Sequence, residues 1–462
     1  MSTSSFALAC MAFVTSAPCA VAGLEHLEPD IRALAQPMLD DEHAPGMAIG
    51  ILKAGERITL GVGRVRLDAE GAPTADTLYE IGSISKVFTA TLLADAQLRG
   101  LLSIDDPLAK FVPEDSDAPE FDGVGITLTQ LSTHRSALPR MPPNWFPPDL
   151  ADPFKGYDRA RLFRDLEDIV LTRAPGAQYE YSNLAVGLLG QIVVDVTGAK
   201  DYGALLTERI TAPLGMSDTT LDLSDQQRAR FAPPYNADLR PDRDWTFDAL
   251  AGAGAIRSTV DDMLTFAEAD LAAEKDATND PARQALAFTH EKRAEFPGDA
   301  KGGVALGWHL RGDGARWHNG QTGGYHAFLG IAPQHDLAVV VLANAPTGFV
   351  DAFAIGVLKL AAGEAVEPLQ IQRPVEVERA TLESYVGRYR LNPVNWIAVT
   401  LEGHKLFVQL TGQPALRVYP ENDAKFRYRV VDAVITFELD DEDRVAALVL
   451  HQNGQDMRAP RE

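Results

Sequence analysis

The sequence has little cysteine and little positive charge. Its two cysteines are Cys10 and Cys19, so the body of the chain has neither a disulfide framework nor a thiol nucleophile. Lys and Arg number 42 against 65 Asp and Glu, a formal net charge of -23, which argues against nucleic acid and anionic membrane surfaces as partners. No apolar run is long enough to span a bilayer. No G-x-S-x-G elbow, P-loop or dinucleotide fingerprint occurs. His290-Glu291 lacks a second histidine at zincin spacing, and the histidines form no ligand pattern. The expectation is therefore no metal and no cofactor. Internal repeats and low-complexity tracts are also missing.

What is there begins with a short apolar run, residues 6–14, followed by Ala20-Val21-Ala22, a small-x-small cleavage pattern. Residues 1–22 read as a secretory signal peptide, although no Lys or Arg precedes the run. That reading implies a periplasmic or secreted protein without an integral membrane segment. With 462 residues and a hydrophobic fraction of 46%, the chain is long enough for two or three domains with full cores.

Residues 24–41 read as an amphipathic helix, and 47–53 with 57–63 as a hairpin through Ala54-Gly55-Glu56. Helical patterns fill the middle, including 184–196, and Ser258 is placed to cap a helix starting near Val260. Residues 141–153, crowded with proline around Trp145 and Phe146, cannot be regular structure; they either line a cleft or wrap the surface. Residues 304–310, 316–318, 326–332 and 337–343 read as strands, and 349–362 as a closing helix. Strands at both ends with helices between them predict an α+β domain: an antiparallel sheet flanked by helices, with a helical insertion. From 396 onward, short alternating runs separated by turns predict a small all-β barrel. The expected organisation is a signal peptide over 1–22, a main domain over 23–366, a linker over 367–380 and a β-rich domain over 381–462.

The chemistry starts at Gly82-Ser83-Ile84-Ser85-Lys86. Extended Tyr79-Glu80-Ile81 runs into a helical pattern that stops near Gly100. Ser83 opens that helix, and Lys86 follows at i+3 with about 5–6 Å between the Cβ atoms. A helix start offers free N–H groups and a positive potential. A lysine packed on an apolar helix loses solvation and basicity. A neutral amine beside a hydroxyl is a general base beside a nucleophile. Tyr181-Ser182-Asn183 adds a phenol to pass protons and an amide to orient lysine or substrate. In Trp317-His318-Asn319-Gly320-Gln321, the glycine permits close backbone approach, and the Ser83 and Gln321 amides together suit an oxyanion hole.

In this order and spacing the three motifs resemble the penicillin-recognising serine hydrolases: class C β-lactamases, D-alanyl-D-alanine carboxypeptidases and related esterases. Their S-x-x-K, Y-x-N and K-T-G or H-x-G motifs stand here as Ser83–Lys86, Tyr181–Asn183 and His318–Gly320. The segments TQLSTHRSALP, APGAQYEYSNL and PLGMSDTT strengthen the likeness over roughly 24–365, and the tail resembles a lipocalin-like β domain often appended to the family. The resemblance implies Ser83 as acylated nucleophile, Lys86 as its base and Tyr181 as proton carrier. Asn183, His318, Gly320 and Gln321 would face the substrate, a β-lactam or D-Ala-D-Ala-type peptide. A histidine is mostly neutral at pH 7, so His318 in place of the third-motif lysine is expected to shift preference toward neutral esters or amides. The alternatives are an esterase on small neutral esters and a penicillin-binding or sensor protein that does not turn over.

Overall fold

A computed structural model of the chain describes residues 23–462 apart from 115, 146, 277–278, 297–298, 372–373, 432 and 453–454. The expected signal peptide over 1–22 lies outside the described residues.

The centre of the larger unit is an eight-stranded antiparallel sheet. Across it the strands run Glu56–Gly63, Gly46–Lys53, Leu337–Ala343, His326–Ala332, Arg316–Gln321, His309–Leu310, Asp299–Val304 and Ala294–Phe296. The N-terminal hairpin thus pairs with the last strand, Met47 opposite Ala343 and Lys53 opposite Leu337. Both faces are covered, so the central strands are apolar at successive positions rather than alternating with polar ones. Period two then decides which core each residue joins. Met47, Ile49 and Ile51 pack with Ile31 and Met38 of the Glu28–Asp40 helix and Phe353 and Val357 of the Phe349–Ala362 helix. Ala48 and Leu52 face the other way, into the core that holds Val87, Phe88, Val260 and Leu264.

That second core carries the helices that place the chemistry: Ser85–Leu98, Asn183–Thr197 and Val260–Lys275. Thr259, not Ser258, caps the last of these, its Oγ1 accepting from Asp262 N at 3.1 Å. Ser258 instead ends a two-residue strand paired with Tyr79–Glu80. The expected 304–310 strand is broken at Gly307, where φ is +72° and Ala305 N donates to Trp308 O at 3.0 Å.

Residues 387–460 form an eight-stranded antiparallel meander. A bridge from Tyr389 to Arg461 brings its first and last strands together, giving a nearly closed barrel. Tyr389, Ile397, Leu406, Phe426, Phe437 and Leu448 fill it, and Tyr385 of the preceding Arg379–Tyr385 helix stacks on Phe437 at 3.8 Å. The barrel is tied to the larger unit by polar contacts. Arg417 pairs with Asp238 at 3.2 Å, the Tyr419 hydroxyl donates to Ala237 O at 3.1 Å, and Arg240 pairs with Glu402 at 3.1 Å. Arg429 donates to Glu42 O at 3.3 Å.

Candidate active site

Close packing of two backbones builds the nucleophile end. Gly82–Ile84 is a 3-10 turn that leads into the Ser85–Leu98 helix, and the Arg316–Gln321 strand lies against it. A Cβ on Gly320 would fall 1.9 Å from Ile81 O and 2.8 Å from Ser83 N. One on Gly82, whose φ is +49°, would fall 2.8 Å from Gln321 N. Neither position admits a side chain, which is why both are glycine. Ser83 and Gln321 consequently line one cleft, of about 510 Å³.

Lys86 is 1% exposed. Its Nζ lies 2.9 Å from Ser83 Oγ and donates to Ala253 O at 2.6 Å. Burial, aided by the positive charge of Arg140, holds its pKa well below the ordinary lysine value. Tyr181 lines the same cleft as Ser83, and Lys86 Nζ lies 4.9 Å from the tyrosine ring's centroid. Burial pushes Tyr181 up to about 12, against the smaller opposing effects of Ser83 and Arg140. The site therefore holds an amine of lowered basicity beside a phenol that is protonated near neutral pH.

Tyr181 is aimed by its neighbours. Ser182 Oγ accepts from Ala185 N at 3.0 Å, capping the Asn183–Thr197 helix. Ser182 N donates to His134 Nδ1 at 3.1 Å, and the His134 ring lies 4.2 Å from the Tyr181 ring. An Nδ1 that accepts a backbone N–H is unprotonated, in keeping with a pKa pushed well down by burial and by Lys86. Asn183 lines the cleft, its Nδ2 contacting Met141 Sδ at 3.8 Å.

The third motif is placed differently from the expectation. Gly320 packs against Ile81 O and Ser83 N, and Gln321 lines the cleft. His318 is 1% exposed and does not line it. Its ring stacks on His309 at 5.1 Å and stands 6.3 Å from Tyr181. Burial, then His309 and Lys86, keep its pKa well below the usual histidine value. Asn319 Nδ2 donates to Asp351 at 2.7 Å, and His326 pairs with the same carboxylate at 2.8 Å.

Several lining residues carry no motif signal. Arg140 is the one Lys or Arg among the described residues that line the cleft, its guanidinium carbon 5.2 Å from the Tyr181 ring. Its carbonyl accepts from Asn183 N at 3.0 Å, which locks it to the second motif. An aromatic wall follows. Trp145 stacks on Phe154 at 5.3 Å, and Phe154 on Phe247 at 4.7 Å. The proline-rich run thus does reach the cleft through Trp145; Phe146 lies outside the described residues. Arg140 directly follows the quoted TQLSTHRSALP segment and was the readable signal; Phe154, Trp245 and Phe247 had none. Among the described residues no group of His, Cys, Asp and Glu is placed to hold a metal ion, and no helix is long and apolar enough to cross a membrane.

The Beta-lactamase family profile matches residues 31–363. The chain belongs to the beta-lactamase family. A second profile, a domain of unknown function (DUF3471), matches residues 372–460. The D-alanyl-D-alanine-carboxypeptidase/endopeptidase AmpH of Escherichia coli K12 is 30% identical over 322 residues, covering 66% of this chain and 80% of that protein. The crystal structure of a beta-lactamase/D-alanine carboxypeptidase from Yersinia pestis, complexed with citrate, aligns with a TM-score of 0.63 at 26% identity, over 73% of this chain and 99% of that one. A class C beta-lactamase from Rhodobacter sphaeroides aligns with a TM-score of 0.61 at 26% identity, over 71% and 98%. This beta-lactamase family member is a serine hydrolase of the class C β-lactamase and D-alanyl-D-alanine carboxypeptidase type.

Proposed function

We propose that this family member cleaves β-lactams or D-Ala-D-Ala-type peptides through an acyl-enzyme on Ser83. The observation that carries the reading is a buried amine, Lys86 Nζ, 2.9 Å from Ser83 Oγ and depressed in basicity. Ser83 gives its proton to Lys86 as Oγ attacks the carbonyl. The amides of Ser83 and Gln321 hold the oxyanion. Tyr181 gives its proton to the leaving nitrogen and takes one from the Lys86 ammonium, so the amine is neutral again. Water then attacks the ester and loses its proton to the same pair, which passes it to Ser83 Oγ as the acyl–oxygen bond breaks. Asn183 hydrogen-bonds the substrate, and Gly320 keeps the two amides close. His318 acts from beneath as a positioning residue for Tyr181 rather than by touching substrate.

Arg140 supplies the fixed charge for a substrate carboxylate that the uncharged His318 does not. We also propose export directed by residues 1–22, with a hydrolase domain over 23–366, a linker over 367–380 and the barrel over 381–462. The test is intact mass after incubation with benzylpenicillin, together with release of D-alanine from a D-Ala-D-Ala peptide. The wild type should gain the mass of the drug or turn over, and Ser83→Ala should do neither. Turnover that survives in Ser83→Ala overturns the reading.

A further inference from the structure

The C-terminal barrel does not stand clear of the catalytic cleft. Its Lys425–Arg427 and Ala433–Leu439 strands are joined by a loop whose Val430 and Val431 line the cleft that holds Ser83 and Tyr181. The Gln321 side-chain amide donates to Val430 O at 3.3 Å, from the residue whose backbone faces the nucleophile. Val431 is 42% exposed and presents apolar surface to the cleft. The loop is braced from behind. The Arg429 guanidinium lies 3.8 Å from the Tyr419 ring, and the Tyr419 hydroxyl reaches Ala237 O. Tyr428 N donates to Ala433 O at 3.0 Å across the base of the turn.

From this placement we propose that the Val430-Val431 tip is a specificity-determining wall. It limits the enzyme to acyl donors whose substituent passing Gln321 is small, and it covers part of that substituent's apolar surface. The proposal rests on the Ser83 reading above, and it gives the appended domain a part in substrate choice. A braced apolar tip beside the scissile carbonyl removes room that a bulky or branched substituent needs. A small substituent instead gains contact with Val431.

The test uses the full-length chain and the rate of Ser83 acylation by intact mass. 6-Aminopenicillanic acid against benzylpenicillin varies the acyl flank. Two cephalosporins that share an acyl group but differ in the size of the 3′ substituent vary the other flank. In Val430→Gly/Val431→Gly the rate for the bulkier member should rise at least tenfold relative to the smaller one in one pair. In Val431→Trp that ratio should fall below wild type. Ratios within twofold of wild type in both pairs and both variants overturn the wall. Labelling that persists in Ser83→Ala overturns instead the reading of the nucleophile, so the two failures are distinguishable. An unchanged urea midpoint in Val431→Trp separates loss of fit from loss of fold.

Discussion

If Lys86 is the base, acylation should reach its alkaline plateau well below pH 10.5. A lysine at the ordinary value of 10.5 would be neutral at pH 7 in only about 1 molecule in 3,000. Its rate would climb about tenfold per pH unit, roughly a thousandfold from 7 to 10. In this site burial and Arg140 hold the amine well below that value, so its neutral form takes over at lower pH and the climb is cut short. Tyr181, pushed up to about 12, stays protonated across the same window and adds no alkaline fall. Lys86→Arg puts in a side chain that keeps its positive charge at any accessible pH. It should lower acylation about 10²- to 10⁴-fold across the window, the usual worth of a positioned general base. The assay is single-turnover acylation by nitrocefin, enzyme in excess, at half-unit pH steps. A unit-slope rise between pH 7 and 10 in the wild type, or a fully active Lys86→Arg, would refute the reasoning.

Gly320→Ala forces a methyl group to 1.9 Å from Ile81 O. The strand and the Ser83 turn must separate, which should cost about 1–3 kcal/mol in urea unfolding and a larger fraction of kcat than of KM. Arg140→Gln should raise KM about tenfold for a substrate with a free carboxylate and leave its methyl ester unchanged, read in paired Michaelis curves. Acid should also destabilise the fold through its buried histidines. Burial and Lys86 push His309 down to about 4, and His134 and His318 are likewise lowered. Each folded value lies below the unfolded 6.5, so the unfolded chain takes up protons first. That stability is complete above pH 6.5 and is lost toward pH 4, by at most about 1.4 kcal/mol per pH unit for each histidine. His309→Phe should flatten this part of the urea-midpoint profile.

The sheet was legible because its pattern is unmixed. The 326–332 and 337–343 runs are apolar at nearly every position, and the strands observed keep those bounds. The break at Gly307 was not legible, because a glycine in an apolar run fits a continuous strand as well as a turn. In the barrel, Gly387–Arg390 and Gln455–Pro460 escaped notice for another reason. They are edge-like segments rich in charge, and only pairing through Tyr389 and Arg461 reveals them as neighbours. Ser83 and Lys86 were readable because i+3 spacing on a helix is a local fact. The position of His318 depends on what is stacked over it, and His309 and Tyr181 arrive from separate elements.

That burial changes what the third motif must do. An exposed cation at position 318 would both attract a carboxylate and lower the basicity of Lys86 through space. Here the two tasks are separated. The basicity of Lys86 is lowered mainly by its own desolvation, with help from Arg140, and a neutral His318 adds no charge to that balance. Arg140 stands at the rim, where water still hydrates it and an incoming anion can meet it without burying an unpaired charge. On the proposed Ser83 reading, activation therefore needs no lysine in the third motif. It follows that His318→Lys should reduce acylation rather than improve it: the new ammonium would enter a site 1% exposed, beside His309, and would oppose the positive charge that Lys86 gains when Ser83 gives up its proton. A penicillin acylation rate at or above wild type in a folded His318→Lys protein would show that the buried position tolerates charge, and would return carboxylate recognition to the third motif.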